Sequence, residues 1–243
     1  MPRVAIVAAI KRELRPLLRS WNRVDIKYGT QRYTAYESPK LQTVAIFGGM
    51  GTEAARAASE AVLTLGKPEW MISAGFAGAL KPGCKVGDVF APRFIVDSAT
   101  GSKYSAGGGA GILLTSHDVH GGSSKKMVAE SSNAEAVDME GSAVADVAVK
   151  HGVKFAALKA ISDEYEASLP PLVKFIRPNG KFSTVAFLAA AVTRPEWWGS
   201  IWALSGNSSR ASKSLSRELE LILRSGDWEK LKALCCSSGR GAH

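Results

Sequence analysis

Three carboxylic acids far apart in the chain stand where chemistry is commonly placed: Glu13, Glu140 and Asp163. Glu140 belongs to Val137-Asp138-Met139-Glu140-Gly141, where a short apolar run turns into a helical pattern. A carboxylate there can accept two hydroxyls from a sugar edge, because ionised carboxylates are strong, acceptor-only groups. The plainer alternative is an acid that offsets the positive end of the helix dipole. Asp163 closes the run Phe155 to Ile161 through Ser162. A general acid suits the carboxyl end of a strand, where it could protonate a purine nitrogen and improve the leaving group. The sugar would then take on the oxocarbenium character of glycoside cleavage. The alternative is a cap on the following turn. Glu13 follows the first apolar run by one helical turn and could position or deprotonate a water, although a helical Glu is usually solvated.

Two glycine clusters accompany the acids. Gly48-Gly49-Met50-Gly51 follows a β-branched run and permits close approach of the backbone to a ligand. It lacks the spacing of a dinucleotide-binding fingerprint. Gly75-Phe76-Ala77-Gly78 follows the apolar run Met71 to Ala74. It reads as a second place for a flat ligand, or as a bend.

The elements that must position these residues alternate. Strands are predicted at Val4–Ala9, Arg32–Tyr36, Thr43–Phe47, Met71–Ala74, Val86–Asp97, Ile112–Thr115, Ala136–Asp138 and Phe155–Ile161. Helices are predicted at Lys11–Ser20, Glu53–Leu65, Ser123–Glu130 and Met139–His151. From Phe182 onward the chain reads as a helical extension broken at Arg194-Pro195 and at Gly206. Gly101–Gly111 reads as a mobile loop and Ser237–His243 as a frayed end. This alternation implies an α/β fold of three layers, α/β/α, with a mixed, mainly parallel central sheet. Ligands in such sheets gather at the carboxyl ends of strands. At 243 residues the chain is expected to form one domain, residues 1–243, with 182–243 as its helical extension.

Composition narrows the class. Apolar residues make up 46% and charged residues 22%, a globular balance. Cys84 is solitary and Cys235 and Cys236 are adjacent, which is neither a disulfide framework nor a zinc motif. No metal is expected, and a reducing cytoplasm is. The N-terminal apolar run is too short for a signal peptide, and Phe182–Val192 falls short of the roughly 20 residues that span a bilayer. The net charge of +9 comes from scattered basic residues with no nucleic-acid motif. No nucleic-acid partner is expected. A membrane surface stays open as a weaker alternative, through the basic tail and Trp197, Trp198 and Trp202.

Taken in order, Val4–Ala9 with Glu13, Gly49-Met50-Gly51, Ser73–Gly78, Val86-Gly87-Asp88, Val137–Glu140 and Ala160–Asp163 resemble the methylthioadenosine/adenosylhomocysteine nucleosidases. These belong to the superfamily that includes the purine nucleoside phosphorylases. The likeness runs to about Asp163, roughly two-thirds of the chain. It implies an enzyme that cleaves the N-glycosidic bond of a nucleoside, a 5′-modified adenosine, by hydrolysis or phosphorolysis. By that resemblance Asp163 protonates the purine, Ser162 orients it, Glu140 holds the ribose and Met139 packs on the sugar. Ala77, Gly78 and Phe76 lie at the base, Met50 faces the 5′ side and Glu13 activates water. The resemblance also implies a small-molecule nucleoside substrate, a homo-oligomer and no cofactor, with phosphate as an alternative co-substrate.

Three positions depart from the family pattern. Phe76 stands where the nucleosidases carry serine and Lys159 where they carry arginine. Val119 or a neighbour stands where an aromatic stacks on the base. These departures support the alternative of a catalytically inactive nucleoside- or purine-binding protein of the same fold. The phosphate-binding arginine and serine of the phosphorylases are missing, Ser73 and Phe76 standing in their places, which favours water. Leu169-Pro170-Pro171, Pro178–Lys181 and the Arg194-Pro195 break resemble the hopanoid-associated phosphorylase branch, thought to remove adenine from an adenosyl lipid.

Overall fold

The computed structural model describes residues 2–116, 122–167, 175, 183 and 198–234, with side chains except those of 122–124 and 198–205. Val119, Leu169–Pro171, Pro178–Lys181, Arg194-Pro195, Trp197, Cys235, Cys236 and the tail from Ser237 lie outside the described residues, as does nearly all of Phe182–Val192. So do the side chains of Trp198 and Trp202.

Among the described residues the strands are β1 Val4–Ala8, β2 Asn22–Tyr28, β3 Gln31–Ser38, β4 Thr43–Phe47, β5 Trp70–Ala79, β6 Val89–Phe90, β7 Pro92–Asp97, β8 Lys103–Ser105, β9 Ala110–Thr115, β10 Ala136–Asp138 and β11 Lys154–Asp163. The helices are α1 Lys11–Leu14, α2 Thr52–Leu63, α3 Gly122–Ser132, α4 Gly141–Lys150 and α5 Trp198–Ser225. All the strands join one mixed sheet. Parallel ladders link β4 to β1, β1 to β5, β5 to β11, β10 to β9 and β9 to β7. Antiparallel pairings add β2, β3, β6 and β8 at the margins and join β10 to β5.

The residues of β1 alternate between two cores. Ala5 and Val7 pack on one face with Ala58, Val62, Ala143 and Val147 of α2 and α4. Val4, Ile6 and Ala8 pack on the other with Ala211, Leu215, Leu219 and Ile222 of α5. A strand covered on both sides must be apolar throughout, as VAIVA is. The spacing of the α5 residues forms one helical face. These are the three layers the alternation implied.

β5 is the branching strand. It runs beside β11 for most of its length, beside β1 at Trp70–Ser73 and beside β10 at Gly78 and Ala79. Between the end of β1 and the start of β10, Ala74–Ala77 have no strand partner on that edge among the described residues.

Several local expectations are corrected. Gly75–Gly78 is not a bend but the continuation of β5. The segment Lys11–Ser20 is not one helix, because Pro16 cannot donate a helical hydrogen bond; α1 gives way to a 3-10 turn at Leu17–Ser20. Val86–Asp97 is broken at Ala91, whose N–H bonds to the carbonyl of Leu234 instead of a strand. Gly101–Gly111 is not a free loop. It contains β8 and the start of β9, and its Ala106 is buried, with its N–H on the Arg93 carbonyl. Gly206 does not break α5: a glycine costs a helix about 1 kcal/mol, less than the packed face beyond it supplies.

Candidate active site

Two polar clusters sit along the carboxyl half of β5. The first is built from β1–α1, β10–α4 and β11. Glu13 is 5% exposed rather than solvated, which corrects the ordinary expectation for a helical Glu. Its Oε2 accepts the Ile10 N–H at 2.9 Å and its Oε1 accepts the Phe76 N–H at 3.0 Å. Phe76 itself turns its ring into the α5-side core. A Cβ on Gly75 would stand 2.7 Å from Glu13 Oε1, so glycine is needed to admit the carboxylate.

Of the two acids at this turn, Asp138 takes the helix-start role: its Oδ2 accepts the Gly141 N–H and its Oδ1 the Thr115 hydroxyl, at 2.9 and 2.8 Å. Glu140 precedes α4 without capping it. Its Oε1 instead accepts the Gly51 N–H at 2.8 Å. Gly51 has φ +95°, a conformation that favours glycine. The glycine cluster thus aims an N–H at an acid 89 residues away. Met50 lies in that loop and Met139 beside Glu140, both half-buried.

Lys159, 1% exposed on β11, is the cation of this cluster. Its ammonium lies 2.8 Å from Asp138 Oδ2 and donates to Ser73 Oγ at 2.9 Å. Burial lowers its pKa, but Asp138, Glu140 and Glu13 outweigh burial and hold it above the ordinary value. One ammonium cannot offset three carboxylates. Burial and the neighbouring Asp138 push Glu140 up to about 8, against the pull of Lys159. Burial also raises Glu13, opposed by its backbone donors and Lys159.

The second cluster surrounds Asp163. Ser162 is a bulge, since Ile161 pairs with Ala77 and Asp163 with Gly78. Such an extra residue re-aims its neighbours. Ser162 Oγ lies 2.8 Å from Asp163 Oδ1 and 3.4 Å from the Ala77 carbonyl. The Ala77 side chain is buried in the core. A Cβ on Gly78 would stand 2.7 Å from Asp163 Oδ2. The other oxygen partner is Lys125 of α3, fully buried, with Nζ 2.5 Å from Oδ2.

Glu13, Glu140, Asp138 and Lys159 therefore form one electrostatic unit. Asp163 stands apart from it, about 10 Å along β5 at the usual rise per residue. Sequence reasoning assigned nothing to Asp138, Thr115 or Lys125. Asp138 was legible beside Glu140, whereas Lys125 carries no local signal in Ser123-Ser124-Lys125-Lys126. Among the described residues no three His, Cys, Asp or Glu side chains are placed to hold a metal ion.

A strand-branched α/β sheet with acids gathered at the branch defines a class. The family described as the phosphorylase superfamily matches residues 3–120 and 109–177. The chain belongs to that superfamily. A relative, the 5′-methylthioadenosine/S-adenosylhomocysteine nucleosidase of Buchnera aphidicola subsp. Schizaphis graminum, is 25% identical over 197 residues, 66% of this chain and 83% of the relative. The fold is shared with the futalosine hydrolase of Helicobacter pylori strain 26695, at TM-score 0.68 and 14% identity over 92% of this chain and 98% of that one. It is shared too with the corresponding nucleosidase of Colwellia psychrerythraea 34H in complex with adenine, at TM-score 0.68 and 15% identity over 96% and 97%. Among the described residues no helix is long and apolar enough to cross a membrane.

Proposed function

We propose that this chain cleaves the N-glycosidic bond of a nucleoside, a 5′-modified adenosine, with water as the nucleophile. The observation that carries the reading is that β5 is thinned to glycine twice, at Gly75 and Gly78, and a buried acid fills each space, Glu13 and Asp163. Glycine in a strand interior weakens it, so two such positions under two acids favour a built site.

In this reading the substrate lies across the carboxyl half of β5. Asp163, steadied by Ser162, gives a proton to the base as the C1′–N bond breaks and its electrons pass to the leaving group. Ala77 and Gly78 lie beneath the base. Glu140 accepts the ribose hydroxyls, Met139 covers the sugar and Met50 faces the 5′ group. Glu13 takes the proton of the attacking water. General acid–base assistance of this kind contributes typically ~10²–10⁴-fold per group. Burial raises the pKa of Glu13, as expected of a group that takes up a proton, and it raises Glu140 as well. The catalysed step needs no metal or redox cofactor.

Water is favoured over phosphate because one anion donor is engaged and the other is shut away. The Phe76 N–H is held by Glu13, and Ser73, which accepts from Lys159, is fully buried. The relative's printed name, a 5′-methylthioadenosine/S-adenosylhomocysteine nucleosidase, supports the same substrate class. The test is release of adenine from 5′-methylthioadenosine, S-adenosylhomocysteine and adenosine, with and without phosphate. Free ribose-type products with no phosphate dependence are expected. A ribose 1-phosphate product would replace water by phosphate, and binding without turnover of any nucleoside would favour the inactive binding protein.

A further inference from the structure

Lys125, like Lys159 a fully buried cation, takes no part in the mechanism above. Its Nζ donates to Asp163 Oδ2 at 2.5 Å, to the Glu164 carbonyl at 2.8 Å and to the Asp163 carbonyl at 3.4 Å. Among the described residues its ion-pair partner is Asp163. The neighbouring charges look elsewhere. Glu164 turns to Lys85 at 3.3 Å and to the Val86 N–H at 3.4 Å. Lys126 lies over the Tyr165 ring, 6.0 Å from its centre. Glu166 is exposed.

A fully buried ion pair is a costly way to dock a helix, since an apolar pair of similar volume usually does as well or better. Gly78 keeps space for this pair: a Cβ there would stand 2.7 Å from Asp163 Oδ2 and 3.3 Å from Lys125 Nζ. The strand that makes room for the acid makes room for its cation too.

We infer that Lys125 is a positioning residue for Asp163, fixing the carboxylate and supplying through it the proton that the departing base receives. The inference rests on the proposed nucleosidase reading. Lys125 and Asp163 together hold one transferable proton, as an ammonium facing a carboxylate. As the C1′–N bond breaks, that proton passes from Lys125 Nζ to Asp163 and from Asp163 to the base, leaving a neutral amine beside the carboxylate. The proton released by the attacking water leaves through Glu13, and solvent restores the ammonium.

The test compares 5′-methylthioadenosine, whose base needs a proton to leave, with 4-nitrophenyl riboside, whose leaving group does not. Lys125→Met is expected to lower kcat on the first by about 100-fold, within the range of acid catalysis. KM should change little, and cleavage of the second should stay within about threefold. Equal losses on both substrates would make Lys125 a structural residue and overturn the inference, as would an unchanged kcat.

Should Lys125→Met fail to fold, Lys125→Arg decides, because it keeps a charge beside Asp163 on a group that does not give up its proton. Its kcat on 5′-methylthioadenosine should fall at least about tenfold while the 4-nitrophenyl riboside rate stays within about threefold. An unchanged ratio of the two rates would overturn the inference. An unsubstituted enzyme that cleaves neither compound overturns the nucleosidase reading itself. Turnover with Lys125 silent overturns only this inference.

Discussion

Gly75 and Glu13 occupy one space: the position of a Cβ on the glycine lies 2.7 Å from the carboxylate Oε1. The acid is held there by the N–H groups of Ile10 and Phe76. Gly75→Ala should push the carboxylate away from both donors. Overpacking a buried site costs about 1–3 kcal/mol. An ångström of misplacement in a catalytic group costs about 10²-fold in rate. The variant should melt a few degrees lower and lose about two orders of magnitude in kcat. Circular-dichroism melting and steady-state assays measure the two effects separately.

The stability of the protein should fall with rising pH because of Glu140. Burial and Asp138 make the folded carboxyl hold its proton more tightly, at about 8 against an ordinary 4.5. The advantage of the protonated group is complete below the ordinary value and is lost as pH rises through it to about 8. Glu140→Gln keeps an oxygen for the Gly51 N–H and removes the titration. Its melting temperature should match the parent near about pH 5 and exceed it near about pH 9. Parallel melting curves across that range would contradict the burial of this acid against Asp138.

Lys159 ties β11 to β10 and β5 through Asp138 and Ser73. Lys159→Met leaves Asp138 as a buried carboxylate with only Thr115 and the Gly141 N–H. Removing one partner of a buried pair costs about 3–5 kcal/mol. The double variant Lys159→Met with Asp138→Asn should recover much of that loss, because no charge is left uncompensated. Denaturant unfolding of the two single variants and the double variant measures the coupling.

Much of this architecture can be read along the chain, and its failures have physical causes. Runs such as Val4–Ala9 and Thr43–Phe47 became β1 and β4, because a strand buried on both faces must be continuously apolar. β5 was expected to stop at Ala74, since glycines at 75 and 78 weaken a strand on average. It continues to Ala79 because those glycines leave room for Glu13 and Asp163. β2 was missed although Asn22–Tyr28 alternates, because only Ile26 of that strand is buried and its polar residues resemble a loop. Glu13 and Asp163 could be found through their places beside strands. Lys125 could not, since Lys125 and Lys126 are the same residue type and only packing makes the first the partner of Asp163.

The sharpest test of the account is adenine release from 5′-methylthioadenosine by the unsubstituted chain and by Asp163→Asn, with 4-nitrophenyl riboside as the control that needs no protonated base. The account predicts that the variant loses at least about 100-fold in adenine release and still cleaves the control at temperatures where it stays folded, although it melts lower because Lys125 is left buried without its carboxylate. Full adenine release by Asp163→Asn would contradict it.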